Sequence, residues 1–352
     1  MNRNNKYLVI IPAYNPSRQL VKLVEDLNNL NIEFLIINDG STIGLEKFQT
    51  IKEKYNCTVL EYVVNKGKGY ALKYGIKYYL DNFKGYKGII TVDADYQHLP
   101  VDVLKVMDKM DKEKKSIVLG CRDFNSRNVP FLNRTGNKIT SQIFKLLYGK
   151  YISDTQTGLR GIPNCYLKEC LEFDGDRFEY EIQELIYFVN QKIDIKEVSI
   201  NTVYYETRES NFHKVSDSIK IYKLMLKESF RFLITSLLSS FLDIILFTIF
   251  ISILSRYGDI SIIISTFGAR IIADLLNFYL TKKFVFYSVI ETKKIILSYY
   301  LLSFSKMALS ACLVLFISKY ILISEIIIKV VVDTLIYFLS YRIQKKYIFK
   351  TK

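Results

Sequence analysis

Residues 89–100 read IITVDADYQHLP. A β-rich run ends at once in Asp93, Ala94 and Asp95, with Gln97 two residues further on. Such a run, closed by polar residues, reads as a short buried strand. Two carboxylates one residue apart repel each other at the end of that strand. They become tolerable when a cation lies between them. Asp and Gln offer hard oxygen donors, which suit Mg2+ or Mn2+. Asp93, Asp95 and Gln97 are therefore the candidate metal ligands. Asp-x-Asp alone is a weak pattern, and its place directly after a strand gives it weight.

The same rhythm extends on both sides. YLVIIPAYN, FLIINDGS, CTVLEYVVN, GIITVDAD and SIVLGCRD are short β-rich runs that end in polar or turn residues. Between them lie the amphipathic patterns SRQLVKLVEDLNNL, GLEKFQTIKEKY, GYALKYGIKYYLDNF and PVDVLKVMDKMDKE. Strand alternating with helix predicts an α/β fold with a mostly parallel sheet covered on both faces. Ligands of such sheets sit beyond the carboxyl ends of the strands. Asn15, Asp39, Asn65, Asp93, Asp95 and Arg122 all fall at those ends.

The chain has 352 residues and a net charge of +14. Nucleic acid is the reflex partner for such a charge, but a second solvent explains much of it. After a basic amphipathic stretch, residues 213–229, four apolar stretches follow: Phe232–Leu254, Ile260–Leu280, Ile295–Ile317 and Tyr320–Tyr341. Each is about 20 residues, enough to cross ~30 Å of hydrocarbon. Lys282, Lys283, Lys293 and Lys294 lie between the second and third, and Arg342, Lys345, Lys346, Lys350 and Lys352 follow the fourth. The positive-inside rule then places both termini and the N-terminal domain in the cytoplasm of a multi-pass protein of the cell membrane. The expected organisation is an α/β domain over 1–212, an interfacial linker over 213–229 and an all-α four-span transmembrane bundle over 230–352. No nucleic-acid partner is expected.

Asp243, Arg270, Asp274, Lys306, Lys329 and Asp333 lie inside the apolar stretches, where charge is expensive. Arg270 and Asp274 are four apart and can pair on one helix face, and Lys329 and Asp333 repeat that spacing. Such pairs either neutralise each other within the bundle or form a polar seat for a phosphate head group. The five cysteines have no zinc spacing and no disulfide pattern, which predicts free thiols. The short apolar run near the N-terminus, broken by Pro12, reads as a strand rather than a signal peptide.

Further motifs join the Asp-x-Asp: VIIPAYN, INDGS, NKGKGYALKYG, DTQTGLRG (Asp154–Gly161) and RFEYEIQEL (Arg177–Leu185). Together they closely resemble the family 2 glycosyltransferases of the GT-A fold, in the subgroup of polyprenyl-phosphate hexosyltransferases that includes dolichol-phosphate mannose synthase. The likeness covers about residues 6–225. The last four spans, with NFYLTKKFVF closing the second, resemble a GtrA-type membrane domain.

The resemblance implies roles for matching positions. Pro12, Tyr14, Asn15, Asp39, Lys66, Gly67, Asp93 and Ala94 would contact the nucleotide sugar. Most relatives read Asp-Asp-Gly-Ser where this chain has Asn38 before Asp39. Asp93, Asp95 and Gln97 match the metal-binding Asp-x-Asp-x-Gln. Arg122, Arg134, Arg208 and Lys214 match basic positions that grip donor or acceptor phosphate, with Cys121 standing where relatives have Ser. Asp154 lies in the element nearest the acceptor, and Asp93, Asp95, Asp154 and Arg122 form the implied catalytic set. Glu179 and Glu181 either join the site or support local structure.

The implied reaction moves one hexose, mannose or glucose, from GDP-mannose or UDP-glucose to a polyprenyl phosphate, dolichyl or undecaprenyl, with inversion and a divalent ion. The acceptor is already anionic, so no strong general base is required, and neither His98 nor His213 has a nucleophile arranged beside it. Processive synthases of this type use a Gln-x-x-Arg-Trp element, and this chain has no Trp. The alternative function is transport: a flippase of lipid-linked sugar with a secondary or vestigial transferase domain. The intact Asp93, Asp95 and Gln97 speak against a vestigial site.

Overall fold

The strand YLVIIPA, β1 (Tyr7–Ala13), is buried along its whole length. A continuous apolar run is what a central strand needs when both its faces are covered. The computed structural model describes residues 7–124, 129, 131–201, 214–288, 290–320 and 325–349. The chain divides into two compact units, Met1–Met225 and Leu226–Lys352.

In the first unit β1 is followed by α1 (Arg18–Asn29), β2 (Phe34–Asp39), α2 (Leu45–Tyr55), β3 (Val59–Tyr62), α3 (Lys68–Asn82), β4 (Gly88–Thr91), α4 (Pro100–Lys112) and β5 (Ile117–Arg122). Then come α5 (Phe131–Tyr148), β6 (Arg160–Pro163), the single turn α6 (Leu167–Cys170), α7 (Glu179–Asn190) and β7 (Ile195–Ile200). The strands form one sheet in the order β3-β2-β1-β4-β6-β5-β7. β6 runs antiparallel to β4 and β5, and the other pairs are parallel. The sequence pattern anticipated the mostly parallel sheet but not the reversed strand at its heart.

Alternation along β1 divides the core. Val9 and Ile11 join Leu20, Leu23, Val24, Val103, Val106 and Met107 of α1 and α4 in one buried cluster. On the other face Gly75 of α3 lies so close that an added Cβ would stand 3.0 Å from Ile10 Cγ2 and 2.9 Å from Ile37 Cδ1. Helix starts follow ordinary chemistry: the Ser17 hydroxyl accepts from Gln19 N ahead of α1, and Pro100 opens α4. The effect is to bring the ends of β1, β2, β4 and β5 to one edge.

Among the described residues four long helices follow: α8 (Lys214–Leu254), α9 (Asp259–Leu280), α10 (Thr292–Ser318) and α11 (Glu325–Ile343). The first turns of α8 belong to the first unit, where Tyr222 Oη meets Thr140 Oγ1 of α5 at 2.9 Å and Tyr148 Oη donates to Met225 O at 2.8 Å. Among the described residues, Asp217–Tyr257 and Thr292–Val314 are long and apolar enough to cross a membrane. The expected four spans count α9 and α11 as well, whose apolar runs are interrupted by charge.

Within the second unit the expected pairing of Arg270 with Asp274 is corrected. Arg270 instead reaches across to Asp243 of α8, Nη1 to Oδ2 at 3.1 Å, while Asp274 accepts from Ser303 of α10 at 2.9 Å. Asp333 accepts from Ser310 at 2.5 Å, and the side chain of Lys329 lies outside the described residues. α9 and α11 each end in a widened five-residue turn, Thr281–Val285 and Gln344–Ile348. Phe286 and Phe349, which follow those turns, stack with ring centroids 5.2 Å apart.

Candidate active site

The ends of β1 and β2 are tied by side chains that the sequence marks as nucleotide contacts. Pro12 is buried within β1, opposite Ile37, and Tyr14 follows the strand half-buried. Asn15 adopts a left-handed φ of 47°. Its Oδ1 accepts from Thr42 N at 2.9 Å and Ile43 N at 3.2 Å, and its own N–H donates to Ser41 Oγ at 2.9 Å. Asn38, where most relatives have Asp, accepts from Ser41 N at 2.9 Å.

Asp39 is buried and holds the loop after β3. Its carboxylate accepts from Tyr62 Oη at 2.8 Å, Asn65 Nδ2 at 3.0 Å, Lys66 N at 2.8 Å and Gly67 N at 3.0 Å. The implied contact with the nucleotide sugar therefore meets a carboxylate already engaged by its own chain. Gly40 makes this approach possible: a Cβ there would fall 2.3 Å from Asn65 N. Lys66 is exposed, with its ammonium 3.0 Å from Tyr70 Oη and over the Tyr70 ring.

Asp93 follows β4 and meets residues remote in sequence. Its Oδ1 lies 2.6 Å from Lys68 Nζ, and the same ammonium lies 2.7 Å from Glu181 Oε1 of α7. His98 Nε2 stands 3.5 Å from Asp93 Oδ2. Burial opposes the charge on Asp93, yet Lys68 and His98 hold its carboxyl well below the ordinary carboxylate range. Gly158, from the loop before β6, leaves room for it: a Cβ there would lie 2.3 Å from Asp93 Oδ2. Asp95 is half-buried and accepts from Gln97 N at 2.9 Å. Asp93, Ala94, Asp95 and Gln97 thus share one short turn after the strand.

Two carboxylates and a carboxamide are the donor chemistry of a hard divalent cation. Among the described residues no three His, Cys, Asp or Glu side chains gather as a closed metal cage. An open site of two carboxylates suits Mg2+ or Mn2+, which take remaining positions from water and substrate phosphate.

The description Glycosyl transferase family 2 matches residues 8–169, and GtrA/DPMS, transmembrane domain matches residues 198–349. A relative from Methanococcus voltae, UDP-N-acetylglucosamine–dolichyl-phosphate N-acetylglucosaminyltransferase, is 32% identical over 240 residues, covering 62% of this chain and 95% of that protein. The chain belongs to glycosyl transferase family 2. Polyprenol monophosphomannose synthase from Mycolicibacterium smegmatis is 25% identical to this transferase over 225 residues, covering 60% of the transferase and 81% of the relative. The solved structure of mannosyl-3-phosphoglycerate synthase from Rubrobacter xylanophilus superposes with a TM-score of 0.50 at 12% identity, over 64% of this chain and 75% of that one. That likeness concerns the fold, GT-A, and not the substrate.

The remaining expected residues of the transferase are spread unequally. Arg122 ends β5 and forms a fork on Asp154, Nε to Oδ2 at 2.6 Å and Nη2 to Oδ1 at 3.0 Å. Asp154 is fully buried, so the pair is set into the wall of the site. Arg134 lies in the first turn of α5. Arg208 and the side chain of Lys214 lie outside the described residues. Sequence reasoning passed over Arg160, the largest fully buried side chain, which sits in the reversed strand β6. It donates to Thr157 O at 2.8 Å, Glu181 O at 2.7 Å and Glu184 Oε1 at 2.9 Å. Burial pushes the Glu184 carboxyl up, against the pull of Arg160. The signal available was a lone charge in LRGIP, an otherwise apolar run.

Proposed function

We propose that this transferase moves a single hexose, mannose or glucose, from a nucleotide sugar such as GDP-mannose or UDP-glucose to a polyprenyl phosphate, with inversion. The observation that carries this reading is Asp93 at the end of β4, ionised among Lys68, Glu181 and His98, with Asp95 in the same turn. The lipid acceptor is supported by the names of the two relatives, both of which carry a dolichyl or polyprenol acceptor or product, and by the matched membrane domain. Those relatives differ in sugar, so the donor is to be settled by assay, with UDP-N-acetylglucosamine included.

Asp93, Asp95 and Gln97 would hold Mg2+ or Mn2+, and the ion would neutralise charge on the departing diphosphate. The chain's own residues do the rest by position and charge. A phosphate monoester has its second pKa near ~6, so it attacks as an anion without a strong base. Asp154 fits that economy: locked to Arg122, it orients the guanidinium and takes no proton. Arg122, Arg134, Arg208 and Lys214 are assigned to phosphate. The domains are assigned as 1–212 catalytic, 213–229 interfacial and 230–352 with four spans, and the catalytic side as cytoplasmic, by the positive charge of Lys282, Lys283, Lys345 and Lys346 in the turns that close α9 and α11.

The test is transfer of label into an organic-extractable product. Purified protein in detergent receives Mn2+ or Mg2+, a polyprenyl phosphate and each labelled nucleotide sugar in turn. Transfer from one donor, lost with chelator and in Asp95→Ala, is expected. Folded protein that binds nucleotide but labels no lipid with any donor would overturn the reading.

A further inference from the structure

Lys68 is rooted rigidly and tipped flexibly. It opens α3 between two glycines that lie against the start of α7. A Cβ at Gly67, whose φ is 102°, would fall 2.4 Å from Asp176 O, and one at Gly69 would fall 2.6 Å from Tyr180 Cβ. Tyr70 N donates to Asp176 O at 3.0 Å, which pins the same turn. The backbone of Lys68 therefore cannot retreat, but its four-carbon stem can swing. Its ammonium lies between two carboxylates, 2.6 Å from Asp93 and 2.7 Å from Glu181. The side chains of Lys68 and Glu181 are 13% and 6% exposed, and that of Asp93 is 25% exposed, so Asp93 is the member open to the site.

Taking Asp93 as a ligand of the divalent ion, we propose that Lys68 is the resident counter-cation of Asp93, competing with the ion for that carboxylate, and that Glu181 is the seat to which the ammonium withdraws. Two cations on one carboxylate oxygen repel. Glu181 relieves that repulsion by offering the ammonium a second anion within reach. Lys68 and Glu181 are positioning residues on this view: each acts on the ion only through Asp93. The two should act with opposite sign. Removing the ammonium frees Asp93 for the ion. Removing only the charge of Glu181 leaves Asp93 as the one carboxylate within ion-pair distance of the ammonium among the described residues, and hinders the ion.

The test is direct Mn2+ binding to the full-length protein in detergent without nucleotide, read by the free-Mn2+ electron paramagnetic resonance signal. The variants are Glu181→Gln and the charge-neutral double Lys68→Met/Glu181→Gln, with folding checked by circular dichroism. The double variant should bind Mn2+ more tightly than wild type, by roughly threefold or more, and Glu181→Gln more weakly. Equal or weaker binding by the folded double variant, or no weakening in Glu181→Gln, overturns the proposal while leaving the metal site standing. If the double variant does not fold, Glu181→Gln alone decides. Binding that is absent from wild type even with a nucleoside diphosphate, or unchanged in Asp93→Asn, overturns the metal assignment and this proposal with it.

Discussion

The guanidinium of Arg122 lies as a two-pronged fork against the carboxylate of Asp154, at 2.6 and 3.0 Å, and Asp154 has no exposure to solvent. Breaking such a pair from either side leaves a different wreck. Arg122→Ala strands a buried carboxylate and should destabilise the catalytic unit by about 3–5 kcal/mol. Asp154→Asn keeps the shape but loosens the fork, so it should lower transfer more than stability. Denaturant unfolding beside turnover of both variants separates the two; equal stability loss in each would contradict the assignment.

Gly158 should tolerate no side chain. The Cβ of Gly158→Ala would collide with Asp93, at 2.3 Å from Oδ2 and 2.6 Å from Cγ. Overpacking of this kind costs about 1–3 kcal/mol. Displacing Asp93 should cost roughly 10- to 100-fold in transfer. Steady-state rates for Gly158→Ala against Gly136→Ala, whose added Cβ meets nothing within 4 Å, provide the comparison.

Two carboxylates should give opposite slopes of stability with pH. Burial disfavours the charge on Asp93, but Lys68 and His98 hold its folded carboxyl below the ordinary value. The unfolded chain then binds the proton first as pH falls below about 4, and stability is lost through that window. Burial raises Glu184 despite Arg160. Its charge therefore costs stability as pH rises above about 4 toward the raised value. Unfolding free energies across this range should show a flatter acid limb in Asp93→Asn. Glu184→Gln should lack the opposing slope, and slopes unchanged in either would refute the corresponding shift.

In the membrane unit, Arg270 should be coupled more strongly to Asp243, its ion-pair partner, than to Asp274. A double-mutant cycle on Asp243→Asn and Arg270→Gln, read by thermal unfolding in detergent, should give an interaction of about 0.5–3 kcal/mol. The same cycle on Asp274→Asn and Arg270→Gln should give a clearly smaller one. The reverse ranking would restore the pairing suggested by the spacing of four.

Much of this was legible in advance, for physical reasons that also set the limit. β1 to β5 and α1 to α4 each carry their own period and end signals, and the structure places them where those signals do. β6 carries no such signal because its buried Arg160 breaks the apolar run, and hydrogen bonds to Glu184 and three main-chain carbonyls help make it tolerable there. Asn15 and Asp39 were recognised as strand-end residues. A side chain that holds a loop looks, in sequence, like one that holds a ligand. Lys68 and Glu181 are 113 residues apart, a distance over which no local pattern speaks. Arg270 misled for the same reason: helix spacing shows neighbours on one helix and is blind to Asp243 on the next.

The widened turns that close α9 and α11 carry nearly the same text, LTKKFVF at 280–286 and IQKKYIF at 343–349. Both bury the closing phenylalanine, and the two rings stack on each other. The two turns are a short internal repeat in both sequence and packing. The repeat sets a lysine pair at the same point of each turn, Lys282 with Lys283 and Lys345 with Lys346. It also gives every position in one turn an internal twin: Lys283 has Lys346, and Phe284 has Tyr347. Thr281 and Gln344 differ in type, yet each reaches back one turn, Thr281 Oγ1 to Asn277 Oδ1 at 3.1 Å and Gln344 Nε2 to Ser340 Oγ at 3.0 Å.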